Sequence, residues 1–217
     1  MTQEPPPRFI LGSASPRRRE LFALLGLPFE VIPSRYEEPT SPNQAVVLSD
    51  FVAHLATEKA REVALRYPDA WVIGADTEVA MDKVGTPLGK PVDSADACRM
   101  VRMLAGRRHL VCTGVALFRP NEVIQNVKPH VISVSTWVTF RELTDAMIAD
   151  YVATGEPLDK AGAYGAQGFA APFIESFEGD FFNVVGLPLC ALGQLLETVE
   201  CDWSHYRTRF GNLPATV

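Results

Sequence analysis

Residues 9–26, FILGSASPRRRELFALLG, contain the pattern that decides the fold class. Three apolar residues are followed by four small ones, which is typical of a buried strand that runs into a loop. Pro16 then begins a helical pattern with Leu21, Leu24 and Leu25 on one face, and Gly26 ends it. A short strand followed at once by a helix is the repeating unit of α/β proteins.

Strands and helices continue to alternate along the first half of the chain. FEVIP at 29–33 and WVIGAD at 71–76 predict two further strands. A long helical pattern lies between them at about 44–67. Another helix follows the third strand, and Asp93 or Ser94 caps it.

The second half of the chain contains a long hairpin. Residues 109–140 predict two strands joined by a turn, a helix capped by Thr144 follows, and an apolar helix is predicted at 184–199. This order predicts an α/β fold with a mixed sheet flanked by helices. We expect one domain over the whole chain, with a core at about 9–196 and a polar, peripheral tail after Cys201.

Composition excludes several classes of protein. The chain has 217 residues, of which 47% are hydrophobic and 21% charged, as in ordinary globular proteins. Its formal net charge is −6, so we expect no nucleic-acid partner, because binding to phosphate backbones needs a basic surface. The scattered cysteines predict reduced thiols. The lack of a signal peptide or spanning stretch predicts a cytoplasmic protein with no membrane partner.

Two familiar enzyme motifs are absent. GTPLGKP at 85–91 resembles a phosphate-binding P-loop, but its glycines are one residue too close. In addition, Pro91 stands where a Ser or Thr would bind Mg²⁺. No G-x-S-x-G nucleophile elbow occurs. Without an obvious Ser or Cys nucleophile, water is favoured as the attacking group.

The start of the first helix is the strongest candidate binding feature. Ser13, Arg17 and Arg18 lie where backbone N–H groups and the positive helix end meet, an arrangement that suits phosphate. The alternative is a helix start with a solvated basic cluster. Lys59 and Lys90 are further candidate phosphate contacts, although lysines at such positions are usually surface charges.

Acidic residues follow two of the predicted strands. Asp76 ends the third strand, where α/β proteins place functional residues, and its alternative role is to cap a turn. Glu37 and Glu38 follow the second strand, and most such pairs are merely solvated. If the strand ends converge, a carboxylate from each loop would bind one Mg²⁺ or Mn²⁺ ion together with phosphate oxygens.

Several motifs in the same order resemble those of the Maf family of nucleoside triphosphate pyrophosphatases. They are SASPRRRELF (13–22), GADT (74–77), GKP (89–91), TGEPLDKAGAYGAQG (154–168) and EGDFFNVVGLPL (178–189). The resemblance implies an elongated, twisted sheet with two lobes around a deep cleft, similar to the inosine triphosphate pyrophosphatases. It also implies metal-dependent hydrolysis of a nucleoside triphosphate to the monophosphate plus pyrophosphate.

The resemblance implies roles for individual residues. Asp76 would accept the proton of the attacking water, and Glu38 would help Asp76 to hold Mg²⁺ or Mn²⁺. The residues implied to bind the triphosphate are Ser13, Arg17, Arg18, Lys59 and Lys90. A homodimer is also expected from the resemblance, although nothing in the composition requires one.

The choice of nucleobase is implied by three positions. Members of the family that act on dTTP and UTP carry Arg, Thr and Gln there, and this chain has Arg18, Thr77 and Gln167. A glutamine amide offers a donor and an acceptor, as uracil and thymine do. The expected substrates are therefore dTTP and UTP, or modified pyrimidine nucleotides. Activity on 7-methyl-GTP or CTP and a non-catalytic nucleotide sensor acting on cell division are the alternatives.

Glu78 departs from the family pattern, which has an apolar residue at this position. If the strand continues past Asp76, the two carboxylates share one face and Glu78 would add a metal ligand. We expect instead that the side chain of Glu78 faces solvent.

Overall fold

The computed structural model describes residues 7–38, 44–201 and 203, so the tail predicted after Cys201 lies outside the described residues except for Trp203. The strands in chain order are β1 (Phe9–Leu11), β2 (Phe29–Val31), β3 (Val46–Val47), β4 (Trp71–Ala80), β5 (Val84–Gly85), β6 (Arg108–Phe118), β7 (His130–Phe140) and β8 (Ile174–Glu178). The helices are α1 (Pro16–Ala23), α2 (Leu48–Arg66), α3 (Ser94–Leu104), α4 (Asp145–Ala153), α5 (Phe181–Val185) and α6 (Leu189–Thr198). None of the helices in these ranges is long and apolar enough to cross a membrane.

The main sheet has six strands in the order β2-β1-β4-β6-β7-β8. β1 is parallel to both β2 and β4, whereas β4, β6, β7 and β8 are antiparallel to one another in turn. β3 and β5 form a separate two-stranded pair. The predicted α/β fold with a mixed sheet flanked by helices is confirmed.

The starts of α1, α3 and α4 lie where the sequence predicts them, at Pro16 and directly after Asp93 and Thr144. The hydroxyl of Ser15 accepts a hydrogen bond from the backbone N–H of Arg18, and Pro16 occupies the first position of α1. Asp93 caps α3 and Thr144 caps α4 in the same way. Each cap satisfies a backbone donor that has no partner within the helix. Because the capping residue lies next to that donor in the chain, the helix start can be predicted from the sequence.

The two faces of the sheet carry different helices. Ile10 and Val72 pack against α2 on one face, while Phe9, Leu11 and Ile73 pack against α1 and α6 on the other. This division follows from the strand, in which successive side chains point to opposite faces. A further core cluster joins α3 and α4 to the distal parts of β4, β6 and β7.

Two glycines allow α2 to lie unusually close to the sheet. A Cβ atom at Gly74 of β4 would be 2.6 Å from the carbonyl oxygen of Ala56, and one at Gly114 of β6 would overlap the carbonyl oxygen of Val52. Any larger residue would therefore push α2 outward. The close approach places the middle of α2, including Lys59, against β4.

β4 is longer than the sequence predicts. β6 pairs with it in antiparallel register as far as Ala80, so Asp76 lies inside a strand, and the prediction that Asp76 ends one was wrong. β1, by contrast, pairs with β4 only as far as Leu11 opposite Ile73. Among the described residues, the second half of β4 therefore has a strand neighbour on one side only.

Several other features differ from the sequence predictions. α2 begins at Leu48 rather than near residue 44, because the two residues before it form β3. The helix predicted at 184–199 is divided into α5 and α6, because Gly186 has a φ of 124° and Pro188 caps α6. β8 is not predicted, and Leu24 is exposed rather than on the buried face of α1.

Candidate active site

A cavity of about 580 Å³ opens where β4 has lost its neighbour β1. Every residue to which the family resemblance gives a role in binding substrate or metal lines this cavity, whereas Glu37 does not. The residues with such a role are Ser13, Arg17, Arg18, Glu38, Lys59, Asp76, Thr77, Lys90 and Gln167. The start of α1 and Gly186 form one wall, while residues 89–90 and 159–167 form another, so the cavity is a cleft between two parts of the fold. The structure brings the predicted residues together, and their individual roles stay predictions.

Arg18 replaces the missing strand at the open side of β4. The backbone N–H of Gly12 makes the last strand-like bond to β4, at 2.7 Å from the carbonyl oxygen of Ile73. Beyond it, Nη1 of Arg18 donates to the carbonyl oxygen of Ala75 at 2.8 Å. Nε donates to the carbonyl oxygen of Gly186 at 2.8 Å. Arg18 therefore joins α1, β4 and the loop between α5 and α6.

Most of the Arg18 guanidinium is already engaged by the protein. Besides those two carbonyls, Nη1 lies 3.4 Å from the hydroxyl of Ser13 and Nη2 lies 2.9 Å from that of Thr77. Within the described residues these contacts use four of the five N–H donors. One donor is left for a ligand, so Arg18 is more a support of the cavity wall than a free phosphate clamp.

A chain of hydroxyl groups continues from Arg18 into the core. Thr77 Oγ1 lies 2.9 Å from Thr113 Oγ1, which in turn donates to the carbonyl oxygen of Asn183 at 2.8 Å. Arginine can only donate and a carbonyl can only accept, so the direction of every proton in this chain is determined. Thr77 accepts from Arg18 and donates to Thr113. Its hydroxyl can therefore offer a ligand only an acceptor.

Lys59 connects the two carboxylates that were predicted to bind metal. Its Nζ atom lies 2.5 Å from Oδ1 of Asp76 and 2.7 Å from Oε1 of Glu38. Asp76 is buried, whereas the side chain of Glu38 is about half exposed. The ammonium group thus balances the charge of a carboxylate pair that comes from two different segments of the chain.

Glu78 points to the same side of β4 as Asp76 and is only 8% exposed. The expectation that it faces solvent was wrong, because β4 continues past Asp76 and carries Glu78 into the cavity wall. Burial, and to a smaller extent the nearby negative charge of Asp76, raise the pKa of Glu78 to about 7. Hydrogen bonds from the backbone N–H groups of Gly89 and Val79 act in the opposite direction.

The chemistry of the cavity suits a hard divalent cation. Oδ2 of Asp76 and Oε2 of Glu78 are buried and have no hydrogen-bond partner among the described residues. In that part of the chain, no three Asp, Glu, His or Cys side chains form a group that could hold a metal ion by themselves. Mg²⁺ typically binds one or two carboxylates together with substrate phosphates, and this donor set fits that mode of binding.

The sequence interpretation missed several residues of the cavity wall. Asp159, Lys160 and Tyr164 line it, and all three belong to the motif at 154–168 that carries Gln167. Nζ of Lys160 is bound to the carbonyl oxygen of Glu156 at 2.6 Å and to Asp159 at 2.7 Å. Their position close to Gln167 in the sequence could have identified them, because a segment that lines a cavity usually does so with several side chains.

This chain belongs to the Maf family, because the family profile described as Maf-like protein matches residues 8–199. A protein from Moorella thermoacetica named dTTP/UTP pyrophosphatase is 50% identical over 195 residues, which cover 90% of this chain and 96% of that protein. A protein of the same name from Koribacter versatilis is 46% identical and covers 86% and 92%. A third, from Geobacillus, is 48% identical and covers 84% and 92%.

Two solved structures show a weaker likeness. A nucleoside-triphosphatase, or dITP/XTP pyrophosphatase, from Mycobacterium abscessus is 15% identical with a TM-score of 0.43, over 89% of this chain and 94% of that one. A HAM1 protein from Coxiella burnetii is 15% identical with a TM-score of 0.43, over 62% and 73%. Scores this low add nothing to the family assignment.

Proposed function

We propose that this protein hydrolyses dTTP and UTP to the monophosphate and pyrophosphate, by attack of water at the α-phosphorus. The observation that carries the proposal is the placement of the start of α1 and of Asp76 in one cavity. Relatives at 46–50% identity over most of the chain are named for this activity.

The cationic groups of the cavity suit the triphosphate. Arg17 at the start of α1 and Lys90 beside Gly89 both line the cavity, and Lys90 is exposed. The N-terminus of α1 adds its backbone N–H groups and the positive end of the helix dipole. Pyrophosphate gathers negative charge as it leaves, so groups that bind this charge more strongly in the transition state lower the barrier.

Asp76 is the proton acceptor in this proposal. Its Oδ1 atom is engaged by Lys59, and its Oδ2 atom is buried without a partner among the described residues. Such an oxygen is free to accept a hydrogen bond from a water molecule and to take its proton. Before the cation binds, Lys59 keeps Asp76 oriented and supplies the opposite charge.

Asp76 and Glu38 would hold the divalent cation, Mg²⁺ or Mn²⁺, together with phosphate oxygens of the substrate. When bound, the cation lowers the pKa of water and neutralises charge on the phosphates. Lys59 lies between these two carboxylates, so it would turn toward the phosphates when the cation binds. Its four-carbon chain on α2 allows this movement.

Gln167 and Thr77 would read the base. Gln167 is exposed at the rim of the cavity, and its amide offers a donor and an acceptor. The hydroxyl of Thr77 offers only an acceptor, which favours a base that presents an N–H group. Uracil and thymine present such a group beside a carbonyl.

The test is a panel of nucleoside triphosphates with the variant Asp76→Asn. Pyrophosphate would be converted to phosphate by an added pyrophosphatase and measured, with Mg²⁺ or Mn²⁺ and with EDTA. We expect turnover of dTTP and UTP that requires the cation. Asp76→Asn should lower kcat by roughly 10²- to 10⁴-fold, the usual contribution of a general base.

Asp69→Asn is the matched control, because Asp69 is exposed and far from the cavity lining. It should retain full turnover. Activity confined to 7-methyl-GTP or CTP would refute the choice of base. A wild-type protein that binds UTP but hydrolyses no nucleotide would refute the enzymatic proposal and favour a sensor.

Two expectations remain predictions beside this proposal. The homodimer is expected from the family resemblance alone, and the nine predicted site residues all line the cavity of one chain. The cytoplasmic location likewise rests on the sequence interpretation alone.

A further inference from the structure

Two residues outside the cavity lining hold the turn that carries Gln167. The turn spans Gly165 to Gly168 and is closed by a hydrogen bond of 3.1 Å from the N–H of Gly168 to the carbonyl oxygen of Gly165. Tyr151 of α4 and Glu156, which follows α4, contact the two ends of this turn.

The contacts fix both ends of the turn. The hydroxyl of Tyr151 accepts a hydrogen bond of 3.3 Å from the N–H of Gly165 and donates one of 3.0 Å to Oε1 of Glu156. Oε2 of Glu156 accepts a hydrogen bond of 2.8 Å from the N–H of Phe169. Burial raises the pKa of Tyr151, so its hydroxyl keeps the proton that it donates. One carboxylate and one hydroxyl thus tie together both ends of a four-residue turn.

The turn lies directly on the carboxylate of Glu156. A Cβ atom at Gly168 would overlap Oε2, and one at Gly165 would lie 2.9 Å from Oε1. A larger residue at either position would therefore displace the carboxylate of Glu156. The side chain of Gln167 itself makes no hydrogen bond within the described part of the chain. Its position over the cavity depends on the backbone of the turn.

We propose that Tyr151 and Glu156 are positioning residues for the nucleobase, because they hold the turn so that the amide of Gln167 faces the base of a bound pyrimidine nucleotide. This inference rests on the proposed function, which assigns base recognition to Gln167. It extends that function to two residues that do not contact the cavity.

The test is a double-mutant cycle on binding. Tyr151→Phe removes one oxygen and keeps the ring, which packs edge-on against Phe173 at 5.3 Å. Affinity would be measured by calorimetry for α,β-methylene-UTP, which is not hydrolysed, and for inorganic tripolyphosphate, which has no base. The proteins are wild type, Tyr151→Phe, Gln167→Ala and the double variant. Tyr67→Phe, outside the cavity lining, is the matched control.

We expect Tyr151→Phe to weaken binding of α,β-methylene-UTP by roughly 2- to 12-fold, the value of a hydrogen bond. Binding of tripolyphosphate should not change. In the Gln167→Ala background, Tyr151→Phe should cause no further loss, because it acts through the residue already removed. Tyr67→Phe should bind both ligands as the wild type does.

An equal loss in both backgrounds, or an equal loss for tripolyphosphate, would show a general structural role and overturn the inference. If Tyr151→Phe does not fold, Glu156→Gln enters the same cycle, since one amide oxygen cannot replace both carboxylate contacts. If the protein hydrolyses UTP but the losses of affinity in the double-mutant cycle are additive, the inference is refuted and the proposed function stands. A coupled cycle in a protein that does not hydrolyse UTP overturns the proposed function and leaves the inference about Tyr151 and Glu156 intact. Failure of the wild type to bind the analogue overturns both.

Discussion

Replacing His109 by glutamine should remove a large part of the acid sensitivity of this protein. His109 lies on β6 and is fully buried, with its ring edge-on to those of Phe140 and Tyr164. Its Nε2 atom is 2.9 Å from the hydroxyl of Tyr164. Burial lowers the pKa of His109 from its ordinary value of 6.5 to about 4.

The sign of the effect follows from proton binding. Between pH 6.5 and pH 4 the unfolded chain binds a proton at His109 and the folded protein does not. The contribution of a neutral His109 to stability is therefore complete above pH 6.5 and is lost as the pH falls toward 4. At ~1.36 kcal/mol per pKa unit, the gap between the two pKa values corresponds to about 3 kcal/mol of unfolding free energy.

The assay is urea unfolding followed by tryptophan fluorescence at several pH values between 4 and 7.5. We expect the difference in unfolding free energy between wild type and His109→Gln to shrink by about 3 kcal/mol as the pH falls through this window. Other titrating groups, including Glu78, are shared by both proteins and cancel in the difference. His54→Gln is the control, because His54 is exposed on α2 and should give a curve parallel to the wild type. Parallel curves for His109→Gln would refute the reasoning.

Two further substitutions test the contacts that build the cavity. Thr113→Val keeps the volume but leaves the proton of the Thr77 hydroxyl without an acceptor and the carbonyl of Asn183 without its donor, so the unfolding free energy should fall by ~1–3 kcal/mol. Thr113→Ser should restore most of it, and equal stability of the two variants would contradict the hydrogen-bond chain. Gly114→Ala should push α2 from the sheet and cost ~1–3 kcal/mol in urea unfolding. Gly85→Ala, whose Cβ meets nothing closer than 3.3 Å, should cost less, and similar losses would count against the close approach.

The elements whose ends carry local signals were predictable. α1, α3 and α4 begin at a capping residue, and a cap acts within three residues of chain. The hairpin of β6 and β7 was predictable from its long apolar and alternating runs. β8 was not, because β7 is its only strand partner among the described residues and its own pattern of burial is weak.

The end of β4 and the start of α2 could not be predicted from the residues around them. β4 continues past two carboxylates because β6 provides a partner there and the open side faces the cavity. α2 starts late because the residues before it pair with β5, more than thirty positions away in the sequence. The division between α5 and α6 could have been predicted, because Gly186 and Pro188 are residues that commonly end and begin helices.

The site likewise combines residues that could be predicted from local sequence with residues that could not. Small residues before Pro16, the arginines after it and an acid within an apolar run are local features, and they identified residues that do line one cavity. Glu78 was misplaced because its exposure depends on how far β4 extends. Tyr151 and Glu156 were missed because they act on a turn that lies nine or more residues further along the chain.

The sequence by itself determined the class of fold, the starts of three helices, the family and the types of group available for phosphate and metal. Only the tertiary structure decided that Arg18 supports the wall rather than standing free, that Lys59 joins two carboxylates, and that Glu78 is buried. The physical reason is the range of the interactions. Caps and hydrophobic periodicity act within a turn or two of chain, whereas charge balance and burial depend on which strand ends early and which helix lies over it.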